Sequence, residues 1–284
     1  MAQRRTLVSE AATTGIALHA GVPAKLKLKP APSGAGIFFH RTDLKNSTPI
    51  PALYSSVSET KLGTVLKGPD GASVAVVEHL LAALAGAEID DCMIEVDGPE
   101  PPALDGDALS YLKLIDAAGS REAGAREIIR VKQPVEASSG GASVKLIPAS
   151  AREFTFEIEF PSAAIGRQSF SFVFTPDGFR REIAPAHTFG FLHEAEQLRA
   201  MGFGRGADLK NTLVIDKDAL MNPELLRFKD EYVRHKILDV IGDLKLAGRP
   251  ILGRFEGRRS SHALNNALLR TLFSNPSNCE LVQG

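Results

Sequence analysis

Six ionisable side chains stand in three short stretches where their spacing could do chemistry. They are Glu78 and His79 in "VVEHLLAALAG", His235, Asp239 and Asp243 in "VRHKILDVIGDLK", and His262 in "SSHALNNALL". His235 and Asp239 are four residues apart, one helical turn, so an imidazole and a carboxylate project together and can grip one divalent ion. Taken alone, the pair reads as an ordinary His–Asp pair on a solvated helix face, and His79 alone as a satisfied core histidine. Together the three supply two nitrogens and one oxygen, the donor set of a catalytic zinc site whose fourth position holds water. Glu78, next to His79, is then placed to take a proton from that water. A metal's charge would also compensate an ionisable pair in an otherwise apolar helix, where burial is costly. There is no HExxH motif, so the site is not of the common zincin type. His262 opens a helix that Ser260 or Ser261 can cap. It reads as a proton donor to a leaving group, with Asp243 orienting it, or as an incidental first-turn residue. Asp105 in "PEPPALDGDA" reads either as support for a ligand or as a turn residue bonded to local backbone.

The elements that must position these groups follow from periodicity. "VVEHLLAALAG" predicts a buried helix, with Ser73 as its N-cap and Gly86 as its stop. "FKDEYVRHKILDVIGDLKLAG" predicts a long helix closing at Gly248, with Val233, Ile237, Val240, Ile241 and Leu244 on one stripe. His235, Asp239 and Asp243 lie roughly opposite, with Gly242 among them leaving space for a ligand or another helix. The chain also echoes itself. Strand, Pro turn and strand in "LKLKPAPSGAGIFFHRTD" recur in "VKLIPASAREFTFEIEF", and "EHLLAALAGAEIDDCMIEVDG" is answered by "RHKILDVIGDLKLAGRPILGRFEG". The offset is 118 residues at Pro30 and Pro148 and 156 at His79 and His235, which places an insert in the second half around 187–216. The fold class expected is α+β: two related domains, 1–122 and 127–284, each a mostly antiparallel sheet with helices on one face. The linker falls in "AAGSREAGAREI". Packing the helices together between the two sheets would bring the matched histidines to the interface, where active sites commonly lie.

Bulk properties narrow the function. The chain has 284 residues, 44% hydrophobic and 24% charged, with a formal net charge of -1 and a pI near 6.7, which gives no sign of a nucleic-acid partner. Cys92 and Cys279 are too far apart for a metal or redox motif and suit a reducing compartment. No apolar stretch follows the two N-terminal Arg residues as in a signal peptide, and no run is long enough to span a bilayer, so a cytoplasmic location is expected.

With these residues in place, the chain closely resembles the UDP-3-O-acyl-N-acetylglucosamine deacetylases of lipid A biosynthesis. The likeness runs through "TGIALHAG", "VEHLLAALAG", "ALDGDA", "HTFGF", "FKDEYVRHKILDVIGDLKLAG" and "SHALNNALL". The resemblance implies one zinc per chain on His79, His235 and Asp239, Glu78 as general base, and His262 as general acid or electrostatic stabiliser with Asp243 as its carboxylate partner. It implies Thr188 near the developing oxyanion and Phe189 as an active-site aromatic, with Phe191 close by in the same motif. Lys236 is implied to face the nucleotide side, His19 to meet the UDP portion, and Asp105 to be an active-site carboxylate. It also implies a mobile loop over Thr60–Leu66, including Leu62, and an insert that forms an apolar passage for an acyl chain. The partner it implies is a UDP-linked acylated glucosamine. A monomer is expected, without stable membrane insertion but with room for transient contact at the inner membrane surface. Four positions depart from the family pattern: His187, Ser261, Asp107 and Glu194. A zinc amidohydrolase acting on another acylated sugar or small amide, and a non-catalytic binding protein with structural histidines, are the competing readings.

Overall fold

Alternating apolar residues such as Phe154, Phe156 and Ile158 turn one edge of their strand inward and are buried. The same alternation builds two sheets with one strand order. The computed structural model describes residues 2–284. In the first half, β2 (Ala11–Ile16), β3 (Pro23–Pro30), β9 (Cys92–Val96), β4 (Ile37–Arg41) and β5 (Ile50–Pro51) lie side by side in that order. In the second, the sequence β12 (Val135–Ser139), β13 (Ala142–Ile147), β19 (Ile251–Arg258), β14 (Arg152–Glu159) and β15 (Arg167–Val173) repeats it. Within each run a single pairing is parallel, β4–β9 and β14–β19, and the others are antiparallel. The faint sequence repeat is therefore a repeat of topology. β11 (Glu127–Val131) and β20 (Cys279–Gln283) extend the second sheet. β6 (Val57–Glu59), β7 (Val65–Lys67) and β8 (Ser73–Val74) form a small sheet in the first half. β16 (Phe189–Phe191), β17 (Leu213–Asp216) and β18 (Ala219–Leu220) form another in the insert.

The helices α1 (Glu78–Gly86), α2 (Leu109–Ala118), α5 (Glu231–Lys245) and α6 (His262–Ser274) join both halves into one core. Every residue of α1 is buried because α5 runs along it and α2 packs beside it. The expected stripe on α5, from Val233 to Leu244, is buried. Its opposite face is buried too, so the solvated reading of His235, Asp239 and Asp243 does not hold: they are 3%, 4% and 2% exposed. Gly242 makes this crossing possible. A Cβ there would lie 2.0 Å from the carbonyl oxygen of Glu78, so the space it leaves is filled by the backbone of α1.

One expectation about α1 is corrected and another refined. Ser73 does not cap α1; it pairs with Lys67 in the β7–β8 hairpin, and the helix begins five residues later, at Glu78. The chain turns into α1 through Val76, held at φ 56, and no side chain caps the helix start. Gly86 is the last residue of α1, as expected, but not as a left-handed cap: it is a packing glycine whose added Cβ would lie 2.2 Å from the Phe179 ring, and the left-handed residue beyond the helix is Glu88, at φ 57. Within the segment expected to link the halves, residues 120–125 form β10 (Ser120–Ala125), antiparallel to β1 (Gln3–Leu7). Small and polar residues suit that two-stranded ribbon, whose pairing needs backbone rather than an apolar face. Both cysteines are free, and burial pushes the Cys92 thiol up to about 12, which leaves it inert. Among the described residues, no helix is long and apolar enough to cross a membrane.

Candidate active site

Where α1 crosses α5, the first turn of one meets the middle of the other. His79 and His235 come together with ring centroids 4.8 Å apart and planes at 90°. His79 Nε2 lies 3.6 Å and His235 Nε2 3.4 Å from the same atom, Asp239 Oδ1. That oxygen is buried and accepts no hydrogen bond. An unsatisfied buried carboxylate oxygen facing two imidazoles is unfavourable by itself and requires a positive partner. One ligand atom from each of the three residues lies within 4.8 Å of the others. The donors, their convergence and the orphaned oxygen fit a divalent ion, and zinc by ligand type.

The surrounding groups hold these donors in place. His235 Nδ1 bonds the carbonyl of Ala186 at 3.0 Å, which leaves Nε2 free to face Asp239. Burial pushes His235 down to about 4, so its ring is neutral and able to ligate. Burial works against ionisation of Asp239, but Lys236 and His235 outweigh it and hold the carboxyl well below its usual range. Lys236 Nζ reaches Asp239 Oδ2 at 2.6 Å, so in this structure it serves the carboxylate ligand.

A second cluster stands beside the first. The buried carboxylate of Glu78 accepts the Thr64 N–H at 3.0 Å and lies 3.7 Å from His262 Nε2. Burial raises its pKa, towards the range useful to a general base. His262 Nδ1 bonds Asp243 Oδ2 at 2.8 Å. Burial disfavours the imidazolium, but Asp243 and Glu78 overcome this and push His262 up to about 9. Asp243 in turn accepts the Thr64 hydroxyl at 2.6 Å and the Asn265 amide at 2.8 Å. Ser261 caps α6 by accepting from the Leu264 N–H, which sets His262 at its first position.

The other expected residues are spread around this centre. Phe189 meets the His235 ring edge-on at 6.3 Å and Tyr232 at 5.2 Å, while Phe191 packs on Phe160 at 5.7 Å. Thr188 donates its N–H to Gly106 O at 2.9 Å, in the turn that carries Asp105. Asp105 itself is exposed, accepts from the Ser110 hydroxyl at 3.1 Å, and lines an open cavity of about 680 Å³ with Lys113 and Arg205. It contacts neither cluster through a hydrogen bond. His19 accepts the Gly204 N–H through Nδ1 at 3.2 Å and bonds Leu62 O through Nε2 at 2.7 Å, which ties the loop over 60–66 to the insert. Leu62 is 42% exposed. The insert's helix α4 (Leu192–Ala200) buries none of its residues, and the remaining short helix, α3 (Pro176–Gly178), starts at Pro176 after a Thr175 cap.

Three contributors had no role assigned from the sequence. Thr64 bridges Glu78 and Asp243, and nothing in its local pattern marks it. Asn265 lies three residues after His262, a spacing that puts both on one helix face and could have revealed it. His187 pairs with Glu231 in full burial, Nδ1 to Oε1 at 2.6 Å, and Glu231 also accepts the N–H groups of His187 and Phe228. The pair pins the chain between Ala186, which orients His235, and Thr188. Burial opposes the charge of Glu231, but the His187 bonds prevail and lower its pKa. The stability this contributes is complete above about pH 5 and is lost as pH falls below about 4. Glu231→Gln is expected to cost about 2–4 kcal/mol and to remove that acid dependence. Denaturant titrations at pH 7 and pH 4 read both effects, and equal stability of the two proteins at pH 7 would refute them.

Positions 4–274 match the family model described as UDP-3-O-acyl N-acetylglycosamine deacetylase. A protein of Myxococcus xanthus (strain DK1622) is 45% identical over 280 residues, 98% of this chain and 89% of its own length. One from Phenylobacterium zucineum (strain HLK1) is 45% identical over 275 residues, 96% of this chain and 94% of its own. One from a Nitratiruptor species is 42% identical over 282 residues, 99% and 94% respectively. All three carry the name UDP-3-O-acyl-N-acetylglucosamine deacetylase. With the family model covering nearly its full length, the chain belongs to the UDP-3-O-acyl N-acetylglycosamine deacetylase family.

Proposed function

We propose that this chain hydrolyses the N-acetyl group of a UDP-linked, 3-O-acylated N-acetylglucosamine, releasing acetate and the free amino sugar, a step of lipid A biosynthesis. The observation that carries the reading is the pairing of a three-donor cluster with a buried carboxylate and a carboxylate-held histidine 3.7 Å apart. His79, His235 and Asp239 would hold zinc. Bound there, the ion would polarise the amide carbonyl and acidify a water near neutral pH. Glu78 takes the proton of the attacking water. The Thr188 hydroxyl donates to the oxygen on which negative charge develops. His262, held by Asp243, gives its proton to the departing amine, which leaves poorly without one. Phe189, Phe191, Leu62 and the insert over 187–216 would receive the acyl chain, while His19, Lys236 and Asp105 would face the sugar nucleotide. The domains 1–122 and 127–284 would each supply one side of this centre, and the protein would act as a cytoplasmic monomer.

Metal analysis of the purified protein beside a deacetylation assay on the UDP sugar tests the reading. About one zinc per chain is expected, with activity lost on chelation and restored by zinc. A metal-free protein that stays active would exclude it. Comparing UDP substrates with and without the O-acyl chain separates this activity from that of a general amidohydrolase.

His262 gives a pH signature. Its imidazolium persists through neutral pH and is lost as pH rises through about 9. Activity should fall above that pH, and His262→Gln should lower turnover by about 10²–10³-fold and flatten the alkaline limb. Unchanged turnover across pH would remove His262 from the mechanism.

A further inference from the structure

Where α1 and α5 end, a cavity of about 20 Å³ is lined mostly by the second half of the chain, with Ala85 closing it from the first. That is room for one occupant little larger than a water. Ala85, Phe154 and Phe255 contribute apolar wall, and four cations, Arg126, Arg152, Lys245 and Arg249, face a single carboxylate, Glu153. Three of the cations are paired. Arg126 bonds Glu88 at 2.8 Å and Asp90 at 3.1 Å, Lys245 donates to Ile89 O at 2.8 Å, and Arg249 lies 2.9 Å from Glu127. Arg152 is not. Among the described residues its side chain makes no hydrogen bond or ion pair, and its buried Nε has no partner. Its guanidinium carbon sits 3.8 Å from the centre of the Phe174 ring.

The carbonyls at the two helix ends, which would attract cations, are already satisfied. Those of Ala83, Leu84 and Ala85 accept from Ala87, Ile89 and Glu88, and those of Asp243, Leu244 and Lys245 from Leu246, Ala247 and Gly248. Burial and the neighbouring Arg126 push Arg152 down to about 10, against the pull of Glu88 and Asp90. Burial also pushes Lys245 down to about 8, against the pull of Asp90 and with Arg126 and Arg152 adding to the effect. A water could accept the Arg152 N–H but would bring no charge to a half-buried guanidinium that pairs with no carboxylate among the described residues.

We propose that this cavity is an anion site that takes a monoatomic halide, chloride by size, on Arg152 Nε. Phosphate and carboxylate are too large for it. The walls come mostly from α5, β14 and β19, with Ala85 of α1 on one side, so an occupant would hold Arg152 against the end of α5. The inference is independent of the proposed reaction.

Thermal unfolding of the metal-loaded full chain tests it, with chloride exchanged for gluconate at fixed ionic strength. The midpoint should rise saturably, by about 3–5 °C at tenfold the dissociation constant. Bromide should reproduce the rise and sulfate should not. Arg152→Met should lose the chloride-dependent rise and, in gluconate, match or exceed the wild type. Crystals soaked in bromide give a second measurement that needs no variant: an anomalous peak against Arg152 Nε. A midpoint indifferent to chloride, a rise that Arg152→Met retains, or the absence of that peak would overturn the site.

Discussion

Glu78→Gln is expected to keep the fold and the metal while lowering deacetylation by about 10²–10⁴-fold. The substitution is nearly isosteric, and the Gln amide oxygen can still accept the Thr64 N–H that Glu78 Oε2 accepts at 3.0 Å. What it loses is the ability to receive a proton and the negative charge 3.7 Å from His262 Nε2. The donors His79, His235 and Asp239 are untouched, so zinc content should stay near that of the unsubstituted protein. Stability should change little, because a neutral amide costs less to bury than a carboxylate. With Glu78 neutral, His262 loses one of the charges that raise its pKa, and the alkaline limb of the activity profile should move to lower pH. Zinc analysis, thermal unfolding and kcat across pH read these effects together. A kcat within about tenfold of the original, with zinc bound, would sink the assignment of Glu78 as base.

Gly242→Ala should be the most damaging small substitution on α5. The new Cβ would lie 2.0 Å from Glu78 O, 2.7 Å from its carbonyl carbon and 3.0 Å from its Cα. All three are backbone atoms, so no rotamer change relieves the clash and the helices must separate. A cost of about 3 kcal/mol is expected. Glu78 adjoins His79, and Asp239 precedes Gly242 by less than a turn, so separation pulls the metal donors apart. Zinc affinity, read by competition with a chelator, should weaken by about 10–100-fold. Gly190→Ala is the stability control, since nothing lies within 4 Å of its added Cβ. A Gly242→Ala protein as stable as that control would show that the helix crossing is not close-packed.

Spacing alone made part of this centre legible. His235 and Asp239 share a helix face at any tertiary arrangement, and Ser261 followed by three helical residues caps α6 locally. The repeat was readable because strand alternation and helix periodicity survive divergence that erases individual residues. Ser73 looks like a cap for α1, but the chain enters the helix through a left-handed Val76, and Glu78 at its start accepts from the Thr64 N–H. Gly86 and Gly242 occupy matched positions in the repeat, yet one makes way for the Phe179 ring and the other for the backbone of α1. Sequence could pair them but not tell their uses apart.

The sequence by itself determined the donor types, the two repeated halves and the family, because each is a matter of residue identity at fixed local spacing. Only the tertiary structure decided that Asp239 Oδ1 faces two imidazoles, that Thr64 links Glu78 to Asp243, and that His187 and Glu231 are buried together. It also decided that Arg152 Nε is left without a partner among the described residues. The long-range contacts among these join residues 14 to 179 positions apart, and those at the metal donors are set by how α1 crosses α5 and by what that crossing excludes from water. Local periodicity carries no record of that crossing, and burial is what turns these neighbours into chemistry.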